Sequence, residues 1–245
     1  MKNILVLALW IISATLFAQE FPSGKSIIAK VDKNLLVKTN LTTVKMEIES
    51  ERVTRTLVIK VWGESYHKAY VEYIAPSHVK GIKMLKLDNK LWIFYPLTKR
   101  TVQIAGNMLR ESMMGSDFSY EDIMNTRPLL EQYKPEVKGK VILNGRKCWI
   151  LTLEEFVPNV NYYSQKIWID AERFVPLKVD LFAKSGRLLK RVSLSNVQKV
   201  QGRWLPKTSV VKDMLKDGNG TKMTVQVIKL DTEIPASYFN KAILK

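Results

Sequence analysis

Hydrophobic residues recur at every second position, in short segments, over most of the chain. Val44, Met46 and Ile48 alternate with polar neighbours, and similar segments continue to residue 230, separated by turn sequences such as Asn144-Gly145. This period is that of half-buried β-strands, and Asn-Gly is a strong hairpin signal. The sequence predicts a mainly β fold with roughly eleven antiparallel strands in one meandering sheet. A sheet of that length curls into an unclosed barrel, or half-barrel.

Two segments depart from this period and predict helices. In residues 23–38, Ile27, Ile28 and Val31 recur at helical spacing, which indicates an N-terminal amphipathic helix. The interruption at 106–133 predicts a second, short helix at 120–126, which begins after Ser119 as its cap. We expect the N-terminal helix and this central insertion to cover the half-barrel.

Methionine is concentrated in the central insertion. Four of the nine methionines lie there: Met108, Met113, Met114 and Met124. Methionine side chains are flexible and polarizable and adapt to irregular apolar partners. The sequence leaves two interpretations open, an ordinary core that plugs the open end of the barrel and a lid that moves aside when a lipid enters.

The first residues have the pattern of a secretory signal peptide. Lys2 precedes an apolar run at 4–12, and Ala18 precedes Gln19, so we expect cleavage after residue 18 and a single domain over 19–245. The site carries no lipid-anchoring cysteine, which predicts a protein that is soluble in the periplasm. There the excess of 39 Lys and Arg over 23 Asp and Glu favours anionic lipid as a partner over nucleic acid.

The basic residues, Lys86 and Lys190 among them, are dispersed, and many lie near turns. Two interpretations stay open for them, a solvated face and a docking surface for anionic head groups. The tryptophans inside predicted strands suit a sheet core better than a ligand wall.

Residues with catalytic potential are few and badly spaced. His67 and His78 do not form a paired-histidine metal motif, and no nucleophile elbow or phosphate-binding loop occurs. Cys148 lies in an apolar run and is expected to be a buried hydrophobic residue. Acidic pairs at Glu121-Asp122 and Glu154-Glu155 leave a glycosidase as a remote alternative. We therefore expect no enzyme activity, no metal and no cofactor.

The central segment MMGSDFSYEDI, residues 113–123, resembles a segment typical of the bacterial outer-membrane lipoprotein-sorting protein family, the LolA-like group. Its approach, 95–106, is similar as well, and so is the spacing of C-terminal residues at 167–170, Pro176, Gly186, 202–206 and Phe239. The resemblance covers most of the mature chain. It implies an unclosed antiparallel barrel under a helical lid, whose apolar concavity holds the acyl chains of a lipoprotein crossing the periplasm.

On this basis we expect transfer without covalent chemistry. The residues predicted to line the acyl cavity are Val44, Met46, Ile48, Leu57, Ile59, Val61, Leu91 and Ile93. Those predicted to close it are Met113, Met114, Phe118, Ile123 and Met124. Arg52 and Arg55 lie near the strands where the family has a lid-locking arginine, but neither sits in a recognisable motif, so no lock is assigned.

The expected partners are an acylated lipoprotein or lipid, a transiently contacted anionic membrane, and an inner-membrane transporter or outer-membrane receptor. The chain is expected to act as a monomer. Two alternatives use the same scaffold: a sensor of lipid or mislocalised lipoprotein, and an accessory protein of a lipid-exporting transporter. An enzyme acting on lipid or glycan is the remotest. The sequence leaves open which face of the strands that are apolar on both sides points inward.

Overall fold

The structure is a computed structural model that describes residues 21–49, 53–158 and 160–245. The predicted signal peptide at 1–18 and Arg52 lie outside the described residues.

Thirteen strands form one antiparallel sheet. Their bounds are β1 Thr39–Glu49, β2 Thr54–Glu64, β3 Lys68–Ala75, β4 Lys83–Leu87, β5 Lys90–Tyr95, β6 Arg100–Ile104, β7 Tyr133–Leu143, β8 Arg146–Glu155, β9 Ser164–Asp170, β10 Pro176–Phe182, β11 Leu188–Val200, β12 Arg203–Asp213 and β13 Gly220–Leu230. The expected count of roughly eleven was two too low; even the short strands β4 and β6 pair with β5 along their whole length.

The order of the strands places the first and last strands side by side within the sheet, and the consecutive strands β6 and β7 at its opposite edges. The order is β6-β5-β4-β3-β2-β1-β13-β12-β11-β10-β9-β8-β7, so the first and second halves of the chain meet where β1 pairs with β13. The edge strands are β6 and β7, and the sheet does not close into a barrel. This is the mainly β, unclosed fold that the sequence predicted.

The N-terminal helix, α1, spans Gly24–Leu35. It begins where the Ser23 hydroxyl accepts a hydrogen bond from the Ser26 amide, and it ends at Leu35 because Leu36 has an extended backbone. Ile27, Ile28 and Val31, the three residues predicted from helical spacing, are buried against β7, β8 and β9. Close packing explains Gly24, since a Cβ atom there would lie 2.6 Å from the Pro135 carbonyl oxygen.

Residues 105–132, here called the lid, run from edge strand β6 to edge strand β7 and therefore cross one face of the sheet. The lid contains 3₁₀ turns and one short helix, α2, at Tyr120–Met124. The predicted cap is confirmed: the Ser119 hydroxyl accepts from the Asp122 amide, and the Asp122 carboxylate accepts from the Ser119 amide. Because both bonds are local, the start of this helix can be predicted from the sequence.

Strands β2 to β5 are apolar on both faces, and the structure shows which face lies under the lid. In β5, Leu91 and Ile93 join the core beneath the lid, while Trp92 and Phe94 pack on the opposite face. That opposite face is covered by C-terminal residues, including Leu244, which is buried there.

Candidate functional site

All thirteen residues predicted for the acyl site lie in one hydrophobic cluster between the lid and strands β1 to β6. Eight of them are buried: Val44, Met46, Ile48, Leu57, Ile59, Leu91, Ile93 and Met113. The other five, Val61, Met114, Phe118, Ile123 and Met124, are partly buried and pack against these. The cluster also contains residues that the prediction left out, such as Tyr73 and Tyr120.

An apolar cavity of about 390 Å³ lies beside this cluster and is here called the lid cavity. From the sheet, its walls include Ile59, Val61, Val71, Met84 and Met223. From the lid they include Met113, Phe118 and Ile123, and the end of α1 contributes Leu35 and Leu36. The lid and α1 therefore lie on the same face of the sheet.

The lid cavity borders only part of the predicted set. Ile59, Val61, Met113, Phe118 and Ile123 line it. The remaining eight do not border it: Val44, Met46, Ile48, Leu57, Leu91, Ile93, Met114 and Met124. These eight hold the lid against the sheet, so the structure has the lid closed over them, and their contact with an acyl chain stays a prediction.

Another cavity of about 390 Å³ lies on the other side of the lid and has a different chemistry. Its lining includes Arg110, Glu121, Asp213 and Lys216. Acyl chains favour apolar walls, because a charged wall residue that is covered by an acyl chain loses its hydration and gains no partner. The lid cavity is therefore the better candidate for an acyl site.

Lys86 is a buried cation in the wall of the lid cavity, where the sequence favoured a solvated or docking surface. Lys86 is only 4% exposed, because it lies on the same face of β4 as Met84, two residues before it. Its Nζ donates hydrogen bonds to the Tyr66 carbonyl oxygen at 2.7 Å and to Thr126 Oγ1 at 2.8 Å. Burial lowers the pKa of Lys86 to about 8.

Lys190 of β11 is the second basic residue that the sequence placed wrongly, since it is also buried. Its Nζ lies 2.5 Å from Asp122 Oδ2 in α2, and the Tyr162 hydroxyl donates to Asp122 Oδ1 at 2.5 Å. Burial, followed by the nearby Asp122 charge, raises the pKa of Tyr162, so its hydroxyl remains a donor. Asp122 thus caps α2 and also ties the lid to the second half of the sheet.

Two further contacts fix the lid around its methionines. Asp117 is buried and accepts hydrogen bonds from the Thr221 hydroxyl at 2.7 Å and from the Asp213 amide at 2.9 Å. Arg55 of β2 donates to the Met114 carbonyl oxygen at 3.2 Å. Gly115 permits this approach, because it has a φ of +73° and a Cβ atom there would lie 2.8 Å from Arg55 Nη2.

The remaining reactive side chains have structural environments. Cys148 is buried, as predicted, and burial raises the pKa of its thiol. His67 is half-exposed and lies 2.8 Å from Asp88. Across the described ranges, no three His, Cys, Asp or Glu side chains come together as a metal site. Among those same residues, no helix is long and apolar enough to cross a membrane.

Solved structures with the same architecture are known. A DUF1329 family protein from Desulfovibrio piger has a TM-score of 0.83 at 21% identity, over 91% of this chain and 98% of that one. A protein from Vibrio parahaemolyticus, described as an outer-membrane lipoprotein-sorting protein domain, has a TM-score of 0.79 at 22% identity, over 90% and 97%. A LolA superfamily protein from Nitrosomonas europaea has a TM-score of 0.75 at 20% identity, over 91% and 99%.

At the level of sequence, a family model whose description reads "Uncharacterized protein" matches residues 65–245, well over half of the chain. The chain belongs to this family, and its fold is LolA-like. No curated protein matches it in sequence. The matched residues contain the whole lid and strands β3 to β13 of the LolA-like sheet.

Proposed function

We propose that the protein is a periplasmic carrier that holds the acyl chains of a lipoprotein or lipid between sheet and lid and transfers them toward the outer membrane. The observation that carries this proposal is the apolar lid cavity, which is lined on its lid side by Met113, Phe118 and Ile123 of a methionine-rich lid. The LolA-like fold and the lipoprotein-sorting description of the Vibrio relative support the same cargo class.

Transfer of this kind needs no covalent step. Moving an acyl chain from water into an apolar site stabilises it by about 0.8 kcal/mol per CH₂ group, so the affinity comes from the chain itself. Release then requires the lid to move, and flexible methionines can repack as it does.

The size of the lid cavity limits its load while the lid is closed. An apolar cavity of about 150 Å³ accommodates one benzene molecule. At about 390 Å³, the lid cavity has room for one acyl chain, and a cargo with several chains requires the lid to rise. The further partners in this proposal are an anionic membrane surface, an inner-membrane transporter and an outer-membrane receptor.

Analysis of co-purified lipid tests the proposal directly. Gentle purification followed by mass spectrometry of extracted lipids is expected to recover acyl species. Delipidated protein is expected to bind a fluorescent fatty acid or its methyl ester. Recovery of no acyl species, together with no binding of either probe, would refute every form of the carrier hypothesis. Uptake of an acylated lipoprotein from membranes separates a carrier from a sensor, since a sensor need not solubilise its ligand.

Met114→Asp tests the lid. Met114 is half-buried against the cluster and has a φ of 52°, a conformation that aspartate tolerates. The new carboxylate would be desolvated when the lid closes, which predicts acyl uptake weaker by roughly tenfold or more with the fold retained. Met108→Asp, at a more exposed lid position outside the cluster, is the matched control. Equal affinities of both variants in a fluorescent-lipid titration would remove Met114 from the acyl site.

A further inference from the structure

Lys86 is a buried cation that the carrier hypothesis leaves unexplained. Lysine is almost never fully buried unless it is paired. Within the described part of the chain, no carboxylate forms an ion pair with Lys86, and its hydrogen-bond partners are neutral oxygens. The acid that acts on it most is Asp88, whose side chain is 70% exposed and lies beside His67.

The ammonium group also has hydrogen-bonding capacity to spare. It has three protons, and two of them form the short bonds to Tyr66 and Thr126. Its third contact, to the Ile123 carbonyl oxygen, is 3.5 Å long, at the limit for a hydrogen bond. With a pKa near 8, the group is still mainly protonated at neutral pH.

Other charged groups in the wall of the lid cavity have partners of opposite charge. Lys68 lies 2.7 Å from Glu64, and Asp122 lies 2.5 Å from Lys190. Among the described residues that line the cavity, Lys86 is therefore the charge available to a ligand. The remainder of the wall is mainly apolar, so the cavity has the two-part chemistry of an amphiphile: an apolar wall and one cationic end.

We propose that the lid cavity binds a single-chain anionic lipid, such as a fatty acid, with its carboxylate on Lys86 Nζ and its chain against Val61, Val71 and Met223. This inference rests on the proposed function and specifies its cargo. The neutral ester and amide linkages of a lipoprotein's acyl chains do not supply such a charge. Charge-assisted hydrogen bonds are about twice as strong as neutral ones, which gives the anionic lipid its preference.

The test compares a fluorescent fatty acid with its methyl ester, which has the same chain without the charge. Delipidated full-length protein is titrated with each probe at pH 7. The acid is expected to bind roughly tenfold to hundredfold more tightly than the ester, the range of one hydrogen bond to a charged group. In Lys86→Met this ratio is expected to fall to about one. Lys90→Met, at an exposed position of neighbouring β5, is the matched control and keeps the wild-type ratio.

The ratio of the two affinities, acid over ester, also distinguishes a role of Lys86 in binding from a structural role. Because Lys86 contacts the lid at Thr126, its replacement can weaken both probes together, which leaves the ratio unchanged and contradicts the inference. If Lys86→Met fails to fold, Lys86→Gln decides, since it keeps a neutral donor and is expected to lose the preference. Equal binding of acid and ester to the wild type overturns the inference while the proposed function stands. Binding of neither probe overturns the inference and, together with recovery of no acyl species, refutes the proposed function as well.

Discussion

Lys86 places ligand recognition and stability in opposition at a single residue. The folded protein surrounds this amine with apolar wall and neutral acceptors, so the charged form loses hydration that a ligand carboxylate can replace. In the empty protein that loss is uncompensated and appears as a lowered pKa. The cost therefore has a defined dependence on pH.

We expect the contribution of Lys86 to the free energy of unfolding to increase with pH in the alkaline range. Its pKa is 10.5 unfolded and about 8 folded, so between these values the unfolded chain holds a proton that the folded protein lacks. Stability from this site therefore increases with pH through that window, by at most about 3 kcal/mol. Chemical denaturation of wild type and Lys86→Met at several pH values measures the difference between them.

The comparison of wild type with Lys86→Met cancels the contribution of the buried tyrosines to the pH dependence of stability. Burial raises the pKa values of Tyr73 and Tyr120, so their stabilisation is lost as pH rises, but this happens equally in both proteins. A difference between wild type and Lys86→Met that stays constant from pH 7 to above pH 10 would contradict the expected burial of charge at Lys86.

The sequence predicted the apolar side of the site better than its polar side. Met46 and Ile48 follow from strict alternation, and the structure places both under the lid. Lys86 and Lys190 were not predicted, because a lysine in an alternating segment normally marks the solvent face. The signal that could have found Lys86 is its period-two relation to Met84, which places both on one face of β4.

At the scale of elements, Asp122 links the short helix α2 to strand β11, which is distant in the sequence. Its carboxylate accepts from the Ser119 amide, from Tyr162 and from Lys190, with the Asp122 and Lys190 side chains 14% and 10% exposed. Ion pairs at this depth contribute little net stability over apolar residues, but loss of one partner leaves the other charge buried alone. The pair therefore acts as a latch whose strength depends on both members.

Asp122→Asn is expected to lower the free energy of unfolding by about 3–5 kcal/mol, because Lys190 then lacks its counter-ion. The double variant Asp122→Asn with Lys190→Met is expected to recover part of this loss. Urea denaturation of the wild type, Asp122→Asn, Lys190→Met and the double variant gives the coupling free energy. Hydrogen exchange of lid amides shows whether the lid opens more often. Glu136→Gln, which breaks an exposed pair with Lys138, is the control and costs at most about 1 kcal/mol. A loss no larger than this control would rule out the latch.

Elements were predictable where their signals are local. Helix α2 follows from Ser119 and Asp122, three residues apart, and α1 from the spacing of Ile27, Ile28 and Val31. The pairing of β1 with β13 was not predictable, because it joins residues nearly two hundred positions apart. Because of that pairing, β6 and β7 lie at opposite edges of the sheet, and the lid that connects them has to cross the sheet.

At the scale of the whole molecule, many basic side chains lie over aromatic rings. A lysine or arginine lies over each of the five tryptophans in the described residues. The pairs are Lys60 over Trp62, Lys241 over Trp92, Lys140 over Trp149, Lys166 and Lys178 over Trp168, and Arg173 and Lys199 over Trp204. None of these rings borders the lid cavity, which agrees with the prediction that they serve the sheet rather than the ligand.

Long basic side chains can lie along such rings while their charged ends remain hydrated. The charged ends of these seven side chains therefore stay available at the surface while their stems cover apolar area. A surface of this kind attracts anionic head groups through a field that ranges over about a Debye length. Membrane contact should then depend on charge, whereas acyl binding depends on the lid cavity.

Vesicle sedimentation separates these two contributions. The protein is expected to bind vesicles that contain anionic lipid and to bind zwitterionic vesicles much less. Its bound fraction should fall steeply between about 0.1 M and about 1 M salt, as the Debye length shrinks from about 10 Å to about 3 Å. Lys86→Met should bind like the wild type, because its buried charge does not face the membrane. Binding to both vesicle types alike, or binding that salt leaves unchanged, would show that apolar contacts rather than the basic surface hold the protein on the membrane.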